Sequence, residues 1–333
     1  MADYNTVLFS SISYRRNIKD MPFVKMLTDT ELAVGVARSM SEIFGDEFNF
    51  KSLKNMPLKD CLILKEENII SDELISNKDI SAFGENDEKS KYIYVNEQDH
   101  IRLVAKSKGF ELESCFKSAN EMDDAILEKL EVCFDVNLGY LTSNPKLLGT
   151  GMEICEWLFI PALVKSNMLE KIKRELLKDE YELLSFDLKS YDQQSPFVVI
   201  KNKYTLGYKE NEFAQKMQKI IQKITELEVI EEDKIFDLSS SGLVDEIYRS
   251  FGELWGCYRI GLAEANQRIG QMLWGIRLGI LKCKKTADIF ALLNVIKENH
   301  IGANLSIKEQ EKSRARIINK FVIENITKGE VDV

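Results

Sequence analysis

Only two histidines, His100 and His300, occur in the chain, and its six cysteines are scattered without a single Cys-x-x-Cys pair. That leaves little from which to build a zinc site, and reduced thiols in a cytosolic protein are the natural reading. No run of eighteen apolar residues occurs. The most apolar stretch, Trp157 to Val164, contains Pro161 and is too short to cross a bilayer, so no membrane role is expected. The start, Met-Ala-Asp-Tyr-Asn, lacks the basic region and apolar core of a secretory signal, which makes the cytoplasm the expected compartment. Positive charge is also short: a net charge of −9 argues against general affinity for nucleic-acid phosphate. Not one arginine lies between Arg174 and Arg249, and no internal repeat or low-complexity tract is visible.

What is there suits an ordinary globular protein. With 333 residues, 44% apolar and 30% charged, the chain can bury a substantial core in one large domain or two unequal ones. Loose alternation predicts a strand over Asn5 to Ser13, and helical spacing with a cap at Asp29 predicts a helix over 29–43. A strand is expected at Cys61 to Leu64 and a loop from Asn77 to Lys91. Tyr92–Val95 and Ile101–Ala105 read as the two strands of a hairpin. Glu111 to Phe134 has the pattern of a long amphipathic helix. Strands are expected at Met152–Phe159, Glu182–Leu188 and Phe197–Lys203, and a helix over Asn211–Leu227. Beyond residue 230 the character changes. Glu231-Glu-Asp and Ser239-Ser-Ser-Gly242 suggest a linker, after which nearly everything from Val244 to Ile326 reads as mildly basic helix.

Two segments carry the chemistry: Asn96-Glu-Gln-Asp-His-Ile-Arg102 on the hairpin, and Gly139-Tyr-Leu-Thr-Ser-Asn-Pro-Lys-Leu-Leu-Gly-Thr-Gly151 about forty residues later. The pair resembles signature blocks of the ATP:guanido phosphotransferases, Asn-Glu-Glu-Asp-His-x-Arg and Gly-Tyr-Leu-Thr-Ser-Cys-Pro-x-x-x-Gly-Thr-Gly-x-Arg. It is most similar to those of the bacterial protein-arginine kinases. Further matches at Arg16-Asn17, Pro161–Val164, Thr205–Gly207, Tyr248–Gly252 and Gly275–Ile280 extend the resemblance over nearly the whole chain.

The resemblance implies an α+β guanidino-kinase catalytic fold over 1–232, a large antiparallel sheet flanked by helices, followed by a small all-helical C-terminal domain of regulatory type over 243–327. It implies ATP and Mg2+ as cofactors if the protein is active, and none otherwise. It places Arg102 and His100 at the nucleotide and Glu97 near magnesium through water, although Glu97 also reads as a plain surface carboxylate of the hairpin. In the C-terminal region Arg314 matches one arginine of a phosphoarginine pocket, although with Arg316 on an amphipathic helix it reads more readily as part of a solvated face.

Transfer of a phosphoryl group to a guanidinium depends on positioning and on neutralising charge on both reactants. Against that need the sequence departs from the family pattern. Gln98 stands where the family has the glutamate that holds the substrate guanidinium, and it faces donors with donors. Asn144 stands in place of the cysteine, so no thiolate is available. Two family arginines of the first strand fall on Ser11 and Ser13, or with one deletion on Ile12 and Tyr14. Glu153 replaces an arginine that should face the phosphates. Arg15, Lys146 and Lys189 are the cations that could compensate, although a lysine does not reproduce a bidentate guanidinium.

Three readings follow. The first is a protein-arginine-kinase-like pseudokinase with phosphotransfer lost or strongly reduced. It would act by protein interaction in bacterial stress response, with a zinc-binding activator protein, a Clp ATPase or an active paralogue as partner, and could form a homodimer. The second is an active protein-arginine kinase with rearranged ligands, and the third is a phosphoarginine-binding module.

Overall fold

The computed structural model describes residues 6–186 and 195–329, without the side chains of 237–240. An eight-stranded, wholly antiparallel sheet dominates it. The strands are β1 (Val7–Arg16), β2 (Phe48–Ser52), β3 (Ala82–Asn86), β4 (Lys91–Val95), β5 (Ile101–Lys108), β8 (Met152–Phe159), β9 (Tyr181–Ser185) and β10 (Phe197–Asn202), in the order β2-β3-β4-β5-β1-β8-β10-β9. The short pair β6 (Phe134–Asp135) and β7 (Gly139–Tyr140) stands apart from it.

Because side chains alternate along a strand, directly paired residues share a face. One face carries Ile12, Tyr14, Ile154, Leu158, Val198 and Ile200, and it is sealed by α4 (Leu112–Leu127), α5 (Pro161–Lys165), α6 (Leu169–Lys178) and the first half of α7 (Glu210–Gly256). Phe213, Met217, Ile221 and Ile224 supply the helical stripe that α7 lays on it. At the other end of the sheet α1 (Thr30–Phe44), capped by Asp29 as expected, covers Ile93, Val95 and Ile101.

The opposite face is divided. Tyr92, Tyr94, Val104 and Phe83 pack against α2 (Leu58–Glu66) and α3 (Asp72–Ser76). Trp157, Phe159, Phe197 and Val199 join a larger core with α8 (Leu262–Arg277), α9 (Ile289–Val295) and α11 (Ile307–Asn325). Phe290 of α9 meets Phe9 of β1 edge to face. Between these two apolar clusters a strip of paired polar residues is left on the sheet: Arg15 opposite Arg102, and Ser13 opposite Glu153, with Lys201 opposite Cys155.

Several expectations need correction. Cys61–Leu64 is helical, part of α2: a four-residue apolar run fits either element, and here only Cys61 points fully inward. The expected loop at 77–91 contains β3, whose Gly84 passes under Phe50 so closely that a Cβ would lie 2.8 Å from the ring. The helix expected through Phe134 ends at Leu127. The candidate linker is no loop, since α7 runs unbroken through residues 231–242 for 47 residues, about 70 Å at 1.5 Å per residue. Within the C-terminal region β11 (Leu281–Cys283) pairs with β12 (Ile326–Lys328), and α10 (Glu298–Ile301) reaches back to α2, where the Glu66 carboxylate accepts from Asn299 N at 2.9 Å. The strand expected to run through Leu188 is seen to Ser185, and Lys189 lies outside the described residues.

Candidate functional site

The connection between β4 and β5, residues 96–100, is fixed from every side. Asn96 sits at φ +54°, a conformation asparagine tolerates, and its amide donates to Ala33 O and Ile80 O, both at 2.9 Å. Asn77 donates to the carbonyls of Asn96 and Glu97 at 3.1 and 2.7 Å. Asn17 donates to Asp99 Oδ1 at 2.6 Å and accepts from His100 N at 3.0 Å. The second motif is tied to the first: Ser143 N donates to Asp99 Oδ1 at 2.6 Å, and the Ser143 hydroxyl donates to Gln98 O at 2.8 Å. The two segments singled out in the sequence are therefore one constellation.

Glu97 is buried, which excludes a surface hairpin carboxylate. Its Oε2 accepts from Arg15 at 3.0 Å, and its Oε1 accepts from the Ser71 hydroxyl at 2.7 Å and from Arg102 at 3.3 Å. Burial alone would push this carboxyl up, but Arg102, Arg15 and the Ser71 hydroxyl together outweigh it and hold it below the ordinary range. Arg15 also faces Asp99 at 3.8 Å.

On the adjoining strand Glu153 meets Lys201 at 2.8 Å and Arg102 at 3.6 Å. Burial opposes its ionisation, yet Lys201, Arg15 and Arg102 hold the carboxyl down at about 2. Two arginines directly opposite one another would repel. Here three cations of the sheet, Arg15, Arg102 and Lys201, are matched by three carboxylates, Glu97 and Asp99 from the β4–β5 connection and Glu153 from β8.

Lys201 was not singled out from the sequence. Only the β8–β10 register places it beside Glu153, and nothing in Val198-Val-Ile-Lys-Asn signals that pairing. The register separates the residues of the two alignments of the missing arginines. Ser11 and Ser13 lie on the face of Arg102 and Glu153, whereas Ile12 and Tyr14 point into the opposite apolar core. The Ser13 hydroxyl, Arg15 Nε and Arg102 Nε are buried donors without a hydrogen-bond partner.

The remaining predicted residues divide. His100 is fully buried, its Nδ1 accepting from Ile18 N at 3.0 Å and its Nε2 bonding Pro22 O at 2.9 Å. Those partners require the neutral, Nε2-protonated ring, and burial lowers its basicity. Both nitrogens are committed to backbone, so His100 braces the loop. Asn144 caps the 3₁₀ turn Pro145–Leu147 by accepting from Lys146 N at 3.1 Å. Lys146 is exposed on that turn and makes no ion pair with the cluster among the described residues. Gly151 is required: at φ +65° its Cβ would lie 2.7 Å from Arg15 O. Arg314 is buried, donating to Ile296 O at 2.9 Å and Ile260 O at 3.0 Å, so it belongs to the packing of α11 and not to a solvated face.

Comparison with known proteins now bears on this arrangement. Residues 33–231 match the family described as ATP:guanido phosphotransferase, C-terminal catalytic domain. The chain belongs to the ATP:guanido phosphotransferase family. It is 28% identical over 331 residues to a protein-arginine kinase of Clostridium botulinum (strain Eklund 17B / Type B), covering 96% of each chain. It is 29% identical over 330 residues to a protein-arginine kinase of Shouchella clausii (strain KSM-K16), covering 96% of this chain and 92% of that one. The crystal structure of lombricine kinase superposes with a TM-score of 0.60 at 22% identity, over 70% of this chain and 69% of that one, a likeness of fold.

Members of this family are ATP-dependent phosphotransferases, and a magnesium ion would need carboxylate oxygens free to hold its water. Glu97 does not fit that role. Both oxygens of Glu97 are taken by Arg15, Arg102 and Ser71, and among the described residues no three of His, Cys, Asp and Glu converge.

Proposed function

We propose that this chain retains the guanidino-kinase fold while its phosphotransfer is lost or strongly reduced, and that it works through contacts with other proteins. The observation that carries this reading is Glu153 seated between Arg102 and Lys201. A carboxylate occupies the place of an anionic ligand, so a nucleotide would have to displace it and meet its repulsion. Gln98 and Asn144 remove charge from the acceptor side as well, leaving little to seat a cationic guanidinium.

The second reading, an active protein-arginine kinase like the relatives of that name, is favoured by one observation: Arg15 and Lys201 bring two cations into the strip where family arginines are missing. Incubation with ATP, magnesium and an arginine-rich protein separates the two readings. The proposal expects no acid-labile phosphoarginine. Phosphoarginine formed at a rate that Arg102→Ala abolishes would overturn it. The partners proposed are those the family resemblance implies: a zinc-binding activator protein, a Clp ATPase or an active paralogue, with homodimerisation as a further possibility to be read from solution mass.

A further inference from the structure

One face of α11 carries charge of the sign opposite to that of the chain. Lys308, Lys312, Arg316 and Lys320 recur at every fourth residue, which on a helix makes a row about 18 Å long with a cation about every 6 Å. Lys308, Arg316 and Lys320 are exposed and Lys312 is half-buried. Like charges one turn apart repel, and among the described residues none of the four makes an ion pair. Two acids of the same helix are occupied. Glu309 accepts from Ser306 N at 2.9 Å in capping α11, and Glu311 faces Arg259 at 3.9 Å. Glu324, one turn past Lys320, bounds the row at its C-terminal end.

Apolar groups lie along the row. The Asn319 amide donates to Cys257 O at 2.9 Å and ties the segment after α7 to this face, which brings Tyr258 to the cations. Tyr258 is 74% exposed, and the Lys312 ammonium lies 5.1 Å from its ring centroid. The hydrogen bond and charge of Lys312, together with the charges of Arg316 and Arg259, draw the Tyr258 phenol below the ordinary tyrosine range. Ile323, two turns after Arg316 on the same face, is 56% exposed. Gln310 and Arg314 point elsewhere: they donate to Gly302 O and Leu305 O, and to Ile296 O and Ile260 O. The row is therefore separate from the arginine that resemblance assigns to a phosphoarginine pocket.

A nucleic-acid backbone approaching this face would meet the repulsion of a chain with net charge −9. A helix with acids at every fourth position repeats at the same spacing of about 6 Å, and its apolar residues would find a tyrosine and an isoleucine beside the cations.

We infer that this face of α11 is a docking surface for an acidic amphipathic helix of a partner protein, with carboxylates on Lys308, Lys312, Arg316 and Lys320 and apolar residues on Tyr258 and Ile323. The inference rests on the reading of the chain as a protein that works by contact. Phosphoarginine formation would overturn that reading and leave peptide affinity untouched, whereas loss of peptide affinity leaves the phosphotransfer assay unchanged, so the two failures are distinguishable.

The test is fluorescence anisotropy of the full chain with a labelled synthetic peptide of about 16 residues, long enough to cover the row, with glutamate at every fourth position and leucine beside it. At about 50 mM NaCl the peptide should bind with a Kd of about 100 µM or tighter, and its glutamine counterpart about tenfold more weakly or worse. Lys312→Glu combined with Arg316→Glu should cost about tenfold or more, and Tyr258→Ser about threefold or more. Affinity should fall about tenfold between about 50 and 300 mM NaCl. Equal binding of the glutamine peptide, unchanged affinity in either variant, or a Kd weaker than about 1 mM overturns the surface. Oligothymidylate or anionic phospholipid vesicles bound more tightly than the peptide would overturn it in favour of a nucleic acid or a membrane. If the charge-reversed variant loses its fold, the glutamine peptide and the salt series decide with the wild type, and indifference to both overturns the proposal equally.

Discussion

Replacing Glu153 by glutamine removes one charge from the strip and changes its shape little. In the wild type Lys201 lies 2.8 Å and Arg102 3.6 Å from this carboxylate. Without its charge three cations face two carboxylates, and the buried donors of Ser13, Arg15 and Arg102 gain an anion site they do not now have. At about 4 Å and an effective dielectric near 20, one unit charge interacts with another by about 4 kcal/mol, an upper bound here because solvent reaches Lys201 and Arg102. Affinity for inorganic tripolyphosphate should therefore rise by about tenfold to a thousandfold in Glu153→Gln. The same substitution costs stability, since breaking a buried pair removes about 3–5 kcal/mol and the glutamine oxygen recovers part of that by accepting from Lys201.

The assay is thermal unfolding with and without millimolar tripolyphosphate. The variant should melt lower than wild type and be raised by the anion, by about 2.7 kcal/mol when the anion stands at a hundred times its Kd, while the wild type does not respond. The gain should fade with added salt. A folded variant that gains nothing, or a wild type that gains as much, would refute the reasoning.

Further outcomes follow from the same geometry. Glu153 is held at about 2 in the folded protein against an ordinary 4.5, a depressed carboxyl whose stabilisation is present above its unfolded pKa and lost as pH falls from about 4.5 toward 2. That stabilisation is worth about 3 kcal/mol at neutral pH, so acid unfolding followed by circular dichroism should be distinctly shallower in Glu153→Gln. Gly151→Ala forces an L-residue to φ +65° and a Cβ to within 2.7 Å of Arg15 O, and chemical denaturation should register a loss of about 2–4 kcal/mol. Arg314→Leu leaves the carbonyls of Ile260 and Ile296 without their buried donor, so urea unfolding should show a loss of about 2–5 kcal/mol. Capture of a phosphoarginine peptide should be no different from wild type in that variant while it remains folded.

The sheet was legible where a β-rich run was long or carried a motif. Met152–Phe159 and the hairpin around residue 97 were readable because a buried strand needs an unbroken β-rich run and the hairpin carries its own motif. The elements missed were short or ambiguous: a four-residue apolar run in α2, a strand of Ala-Phe-Gly-Glu-Asn in β3, and a serine-rich stretch that α7 carries through because both of its ends pack on cores. Motif positions were readable, but their roles were not. That Glu97 would be locked between two arginines, or that His100 would use both nitrogens on backbone, depends on cross-strand register and loop closure, which residue types alone do not encode. Lys201 illustrates the same limit, because its significance comes from lying one strand away from Glu153.

Isothermal titration calorimetry of MgATP into the wild-type chain tests most directly whether the strip is closed by its own carboxylates. The account predicts no saturable heat up to about 1 mM nucleotide. Saturable binding tighter than about 100 µM, abolished by Arg102→Ala, would contradict it.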